Sequence, residues 1–212
     1  MTTGKRTRLS ATERSEQLLD VAEELFMSKG FDATTIEDIA RTAGVTRPIV
    51  YEHHGSKEGV YLACLARARR RLVEEYTAAL EGLVEPRDVI RASAQVWFSL
   101  VERDPRRFTL LFGTSVPLAG ELASEVHAEQ QRNAGHYQRA VRGWVRPDVS
   151  DDQAAVAAQM IAMTGGQLAL WWLDHRRITL DEIVEYFTDF CWNGLLPLLP
   201  DDDQAHLGDG GA

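Results

Sequence analysis

Residues 35–57, TIEDIARTAGVTRPIVYEHHGSK, spell out two short helices joined by a tight turn. Ile36, Ile39 and Ala40 recur at helical spacing and give the first helix a single apolar face. Thr35 is suited to cap its N-terminus, and Asp38, three residues on, completes a capping box. Gly44 stands where a helix end needs a left-handed residue, and Val45 is placed to fold back onto Ala40. Thr46 caps a second helix whose main apolar residue is Val50. A glycine turn between two short helices makes either an ordinary helical hairpin or a helix-turn-helix, which offers its second helix to the major groove of DNA.

The surrounding chain decides between them. The net charge of −9 is wrong for a DNA binder taken as a whole, but it is unevenly spread: residues 1–80 carry 12 Lys+Arg against 12 Asp+Glu, and residues 81–212 carry 11 against 20. The excess acid therefore lies outside the helix-turn-helix. Lys5, Arg6, Arg8 and Arg14 make the N-terminal stretch locally basic, which fits either a DNA-following arm or a solvated terminus. Cys64 and Cys191 stand apart and signal neither a disulfide framework nor a zinc site. His53 and His54 are adjacent, and adjacent helix positions do not face one ligand. No metal, cofactor or catalytic residue is therefore expected. The N-terminus has no apolar signal segment, and the apolar run 154–173 is interrupted by Gln159, Thr164 and Gln167. A cytoplasmic protein with no membrane partner is expected.

Strand signals are missing and helix punctuation is frequent. Ser10 and Glu13 form a capping box ahead of the stripe Leu18, Val21, Ala22, Leu25 and Phe26. Gly30 ends that helix, with Phe31 placed against Phe26 as in a Schellman cap. Ser56 caps a long helix to about Glu81, whose Arg67, Arg69, Arg70 and Arg71 read as a solvated face. Pro86 and Pro105 open two further helices. A longer one follows over about 117–145, then two more over 150–175 and 179–199. This makes about nine helices, an all-α fold with a three-helix head at 1–55 and a larger helical body at 56–200. The segment 201–212, DDDQAHLGDGGA, is too acidic and glycine-rich to pack.

Residues 34–65 resemble the DNA-binding head of the tetracycline-repressor (TetR) family, T-x-x-x-I-A-x-x-A-G-V-[ST]-x-x-x-[LIV]-Y-x-[HY]-F-x-[SN]-K-[ED]-x-[LV]. Thr35, Ile39, Ala40, Ala43, Gly44, Val45, Thr46, Val50, Tyr51, His53, Ser56, Lys57, Glu58 and Val60 match it. His54 departs from it, standing where the family has a buried Phe, and a buried imidazole needs a partner or water. The resemblance implies a homodimeric transcriptional regulator. It is expected to be a repressor that binds near-palindromic double-stranded operator DNA and is released by a small effector. An effector-independent activator or architectural protein is the alternative.

The candidate DNA-binding residues are Thr35, Thr46, Arg47, Pro48, Ile49, Tyr51, Glu52, His53 and Lys57. At 100° per residue Val50 points inward and Pro48 and Glu52 outward, with Arg47, Ile49, Tyr51 and His53 on the flanks. Arg47 suits a guanine edge or a phosphate, Ile49 a thymine methyl or the core, and Glu52 a cytosine amine or solvent. Pro48 biases Arg47 away from helical angles, so the helix is expected to start a residue late. By resemblance, the hydroxyls of Thr35 and Tyr51 and the Lys57 cation hold phosphates.

Two patterns mark the body. Ala155, Ala158, Ala162, Gly165 and Ala169 repeat at three and four, a stripe that lets another helix approach closely. With Phe187 and Phe190 on the next helix, the residues Ala158, Ala162, Gly165 and Ala169 are the candidate dimer interface, on the family's four-helix pattern. The second pattern is aromatic, and Trp97, Phe112, Met163, Gln167 and Trp171 are either plain core or the walls of a pocket for an apolar or aromatic effector.

Overall fold

The computed structural model describes residues 9–112 and 138–200, and all regular structure among them is helical. Ser10 opens α1 (Ala11–Ala33), its hydroxyl accepting from the Glu13 amide at 3.2 Å while the Glu13 carboxylate accepts from the Ser10 amide at 2.8 Å. Leu18, Leu19, Ala22 and Phe26 form the buried stripe of this helix. Gly30 breaks the helix at φ 80°, ψ 169°. That is the extended glycine region, not the left-handed one a Schellman cap requires. Phe31 nevertheless stacks on Phe26, with centroids 5.9 Å apart, and Tyr61 closes the aromatic cluster at 5.3 and 5.0 Å.

Next come α2 (Ile36–Ala43) and α3 (Arg47–His54). Ser56, whose hydroxyl accepts from the Gly59 amide at 3.0 Å, then caps α4 (Lys57–Leu80). The chain forms two compact units that divide within α4, after Arg71. The head unit takes in the first part of α4 because Val60, Tyr61, Cys64, Leu65 and Ala68 are buried there.

Of the four arginines of α4, Arg70 and Arg71 are solvated as expected, but Arg67 and Arg69 are not. Arg67 is 3% exposed and Arg69 is buried. Arg67 reaches Glu16 at 3.0 Å, Asp20 at 2.8 Å and Glu23 at 3.0 Å, all on α1. Glu16, Asp20 and Glu23 share one face of α1, so a single guanidinium binds α4 along that helix.

The second unit contains α5 (Pro86–Arg103), α6 (Pro105–Phe112), a helical stretch at 138–144, α7 (Asp151–Leu173) and α8 (Leu180–Leu195). A 3-10 turn at Leu196–Leu198 ends it. Most of the expected 117–145 helix lies outside the described residues, as does the 201–212 tail. Capping boxes start both final helices, Ser150 with Gln153 and Thr179 with Glu182. Phe98 of α5 lies at the centre, edge-on to Trp172 at 5.8 Å and to Phe187 at 5.6 Å. No described helix is long and apolar enough to cross a membrane.

Candidate nucleic-acid interface

The turn between α2 and α3 is built as its sequence dictates. Thr35 and Asp38 exchange capping bonds, the Asp38 amide donating to the Thr35 hydroxyl at 3.1 Å. The hydroxyl in turn donates to the Asp38 carboxylate at 3.0 Å and holds it below the usual carboxylate range. Gly44 takes φ 68°, ψ 34°, the left-handed conformation a side chain disfavours. This lets the Val45 amide bond the Ala40 carbonyl at 2.9 Å and the Gly44 amide the Arg41 carbonyl at 3.2 Å. The Gln17 amide donates to the Ala43 carbonyl at 3.3 Å and ties this corner to α1.

Val50 is the buried residue of α3. Thr46, Arg47, Pro48, Tyr51 and Glu52 are exposed, and Ile49 and His53 are half-buried. The helix begins at Arg47, not a residue late, with Thr46 as an extended cap whose side chain makes no capping bond. Pro48 fits because an amide in the first turn would have no intrahelical acceptor. Arg47 Nη1 lies 3.6 Å from Glu37 Oε2, an exposed ion pair. Lys57 is half-buried and already engaged: its ammonium donates to the Phe31 carbonyl at 3.1 Å and sits 4.2 Å from the Phe31 ring centroid.

One feature of this corner, the glycine at position 59, escaped the sequence reading. A Cβ on Gly59 would lie 2.0 Å from the His54 carbonyl oxygen, so only glycine lets the first turn of α4 pass the end of α3. His54 is half-buried, its Nε2 3.5 Å from the Ser15 hydroxyl. Burial first, and then the neighbouring His53, push its pKa below the ordinary imidazole value.

Residues 18–64 match the bacterial regulatory proteins of the tetR family. The transcriptional activator FasR of Mycolicibacterium smegmatis is 29% identical over 195 residues, 89% of this chain and 85% of that protein. The repressor BepR of Brucella suis is 28% identical over 180 residues, 79% and 84% of the two chains. A TetR-like regulator from Rhodococcus sp. RHA1 superposes with a TM-score of 0.69 at 22% identity, covering 89% of this chain and 98% of its own. AibR, solved with isovaleryl coenzyme A and operator DNA, superposes at 0.65 with 20% identity and coverages of 84% and 97%. Residues 18–64 thus carry a domain of the TetR family, and the chain has the fold of these solved regulators.

In the rest of the chain, the body residues singled out from sequence divide between opposite sides of α7. Ala158, Gly165 and Ala169 are buried inside the protomer, and Ala162 is half-buried. A Cβ on Gly165 would stand 3.3 Å from the Phe187 ring, and its carbonyl accepts from Trp97 Nε1 at 3.0 Å. The small stripe therefore admits α5 and α8 of the same chain, and Phe187 is core. Of the six candidate interface residues only Phe190 is exposed, at 67%.

Among the described residues, the aromatic set does not come together in one pocket. Met163, Gln167 and Trp171 lie with Thr164 and Leu168 along an open depression of about 470 Å³ on the outer side of α7. Trp97 packs on the inner side, edge-on to Phe108 at 5.2 Å. The two sets are separated by the helix itself, since residues 163 and 165 point in nearly opposite directions. The Phe112 side chain lies outside the described residues.

Proposed function

We propose that the protein is a homodimeric repressor that binds a near-palindromic operator and is released from it by a small apolar or aromatic effector. The observation that carries the DNA-reading half is the division of α3, with Val50 inside and Thr46, Arg47, Pro48, Tyr51 and Glu52 in solvent. Residues 1–55 read DNA in this proposal, and residues 56–200 dimerise and bind the effector. Thr35, Tyr51 and His53 hold phosphates, and Arg47 and Ile49 face base edges. Lys57 adds a phosphate contact with the donors that Phe31 leaves unused.

One eight-residue recognition helix reads too few base pairs for useful specificity. A twofold dimer places two of them about 34–36 Å apart on one face of the duplex. We assign the dimer contact to the outer faces of the last two helices, where Val156, Met160, Met163 and Trp171 of α7 and Tyr186 and Phe190 of α8 are exposed. Large apolar side chains along both helices are a surface that a second copy can bury.

The effector acts through α4, which belongs to both units. DNA and effector that favour different states of the regulator weaken each other by the same factor, about 5- to 150-fold for a typical coupling. Because AibR is solved with isovaleryl coenzyme A and DNA, acyl thioesters head the set of compounds to test.

The test starts from a random duplex pool. Selection of a near-palindrome, followed by its displacement by an apolar compound that quenches tryptophan fluorescence, is the expected result; a pool from which no sequence emerges overturns it. FasR, an activator, favours a second reading. Deleting the chain raises expression from the selected operator if it represses and lowers it if it activates.

A further inference from the structure

We infer that Glu37 is a positioning residue for base recognition, holding the Arg47 guanidinium in the orientation in which it meets a guanine. The inference rests on the proposed role of α3 as the recognition helix. Arg47 Nη1 and Glu37 Oε2 lie 3.6 Å apart, with both side chains about two-thirds exposed (64% and 68%). That separation is an ion pair without a hydrogen bond, so it orients the arginine without locking it.

Each partner is placed independently of the other. The capping box fixes the start of α2 and engages Asp38, which also faces Lys29 at 3.6 Å and bonds Arg41. Of the two acids in the first turn of α2, Glu37 is the one turned to α3. Arg47 has a fixed backbone on both sides, following an extended cap and preceding a proline. What remains free is a long side chain with many rotamers, and that is the freedom a carboxylate at its tip removes.

The guanidinium chemistry fits. With a carboxylate at Nη1, the edge formed by Nε and Nη2 is left for the O6 and N7 acceptors of guanine. A carboxylate beside DNA also repels phosphates and so weakens binding to every sequence. Its contribution is to specificity: the arginine arrives at the base edge already oriented, while the repulsion is felt equally on all duplexes.

The experiment uses the full-length chain and the duplex selected from a random pool. Competition against single-base-pair variants, over a range of salt, is measured for wild type, Arg47→Ala, Glu37→Gln, Glu37→Asp and the double variant Glu37→Gln/Arg47→Ala. Arg47→Ala is expected to lose preference at one base pair by roughly 5- to 150-fold. Glu37→Gln is expected to lose about 2- to 5-fold at that same base pair, the scale of an exposed ion pair, with an unchanged salt slope. Glu37→Asp should recover part of the preference, and Glu37→Gln should change nothing there once Arg47 is gone.

If Glu37→Gln tightens all duplexes alike and leaves the preference intact, Glu37 only repels phosphates and the inference is overturned. It is equally overturned if the variant lowers the melting temperature without moving the preference, because Glu37 then serves only the start of α2. An Arg47→Ala variant that keeps every preference removes the recognition role of Arg47, and the role of Glu37 with it. That failure is distinct from one in which Arg47→Ala shifts preference and Glu37→Gln does not.

Discussion

His54 carries the clearest departure from the family pattern and the clearest consequence for stability. Its imidazole is half-buried between α3 and Ser15, and burial depresses its pKa below the unfolded value of 6.5. A folded imidazole that resists protonation binds fewer protons than the unfolded chain, so stability falls as pH drops through about 6.5 and levels off below the folded pKa. His54→Phe removes that proton linkage and adds apolar burial. It should stabilise the head by on the order of 1 kcal/mol at neutral pH and by more in acid. Thermal unfolding between about pH 5 and pH 8 checks this, and a variant less stable than wild type across that range would contradict it. At this scale the capping residues Ser10, Thr35 and Gly44 were legible because each acts on its neighbours in sequence. Gly59 was not, since its constraint is the His54 carbonyl lying 2.0 Å from an added Cβ.

Between elements, legibility depends on whether the partner lies on the same helix. Arg67 reads as surface within R-A-R-R-R, yet its partners Glu16, Asp20 and Glu23 lie on α1, spaced four and three residues apart. That acidic spacing was the available signal. Arg67→Met strips the buried Glu23 carboxylate of this cation and should destabilise the head by about 3–5 kcal/mol. Arg67→Met combined with Glu23→Leu should restore most of the loss, because the buried charge goes with its counter-ion. Urea unfolding of both variants measures the difference, and equal losses would show that the ion pair is not the cause. The small stripe on α7 gives the complementary lesson. Its spacing announces a close helix approach, but periodicity carries no label saying whether the approaching helix is in the same chain. Trp97 and Phe187 turn out to fill that groove from within.

For the whole molecule, the outer faces of α7 and α8 hold the consequence. Met160 and Phe190 are 64% and 67% exposed. In the proposed dimer, Met160→Glu with Phe190→Glu should yield a folded monomer, with unchanged helix content but a reduced sedimentation coefficient and lost operator affinity. Gly165→Leu instead should unfold the second unit, since even a Cβ there meets Phe187 at 3.3 Å. A double variant that stays dimeric would move the interface elsewhere. Salt dependence belongs to this scale too. The charge balance of residues 1–80 is zero, so few phosphates are neutralised and the slope of log affinity against log salt should be moderate, about −0.9 per phosphate contact.

The two cysteines divide between the units, Cys64 in the head and Cys191 in the body. Burial pushes both thiols up to about 12, so neither presents a thiolate to solvent while its unit stays closed. The chain thus contains two internal clocks, each started only by local opening. In Cys64→Ala and Cys191→Ala variants, the rate of modification by an aromatic disulfide should report body and head opening separately. Operator DNA should slow modification of Cys64. If α4 carries the message between units, DNA should slow Cys191 as well, so that the body's own thiol registers what the recognition helix has found.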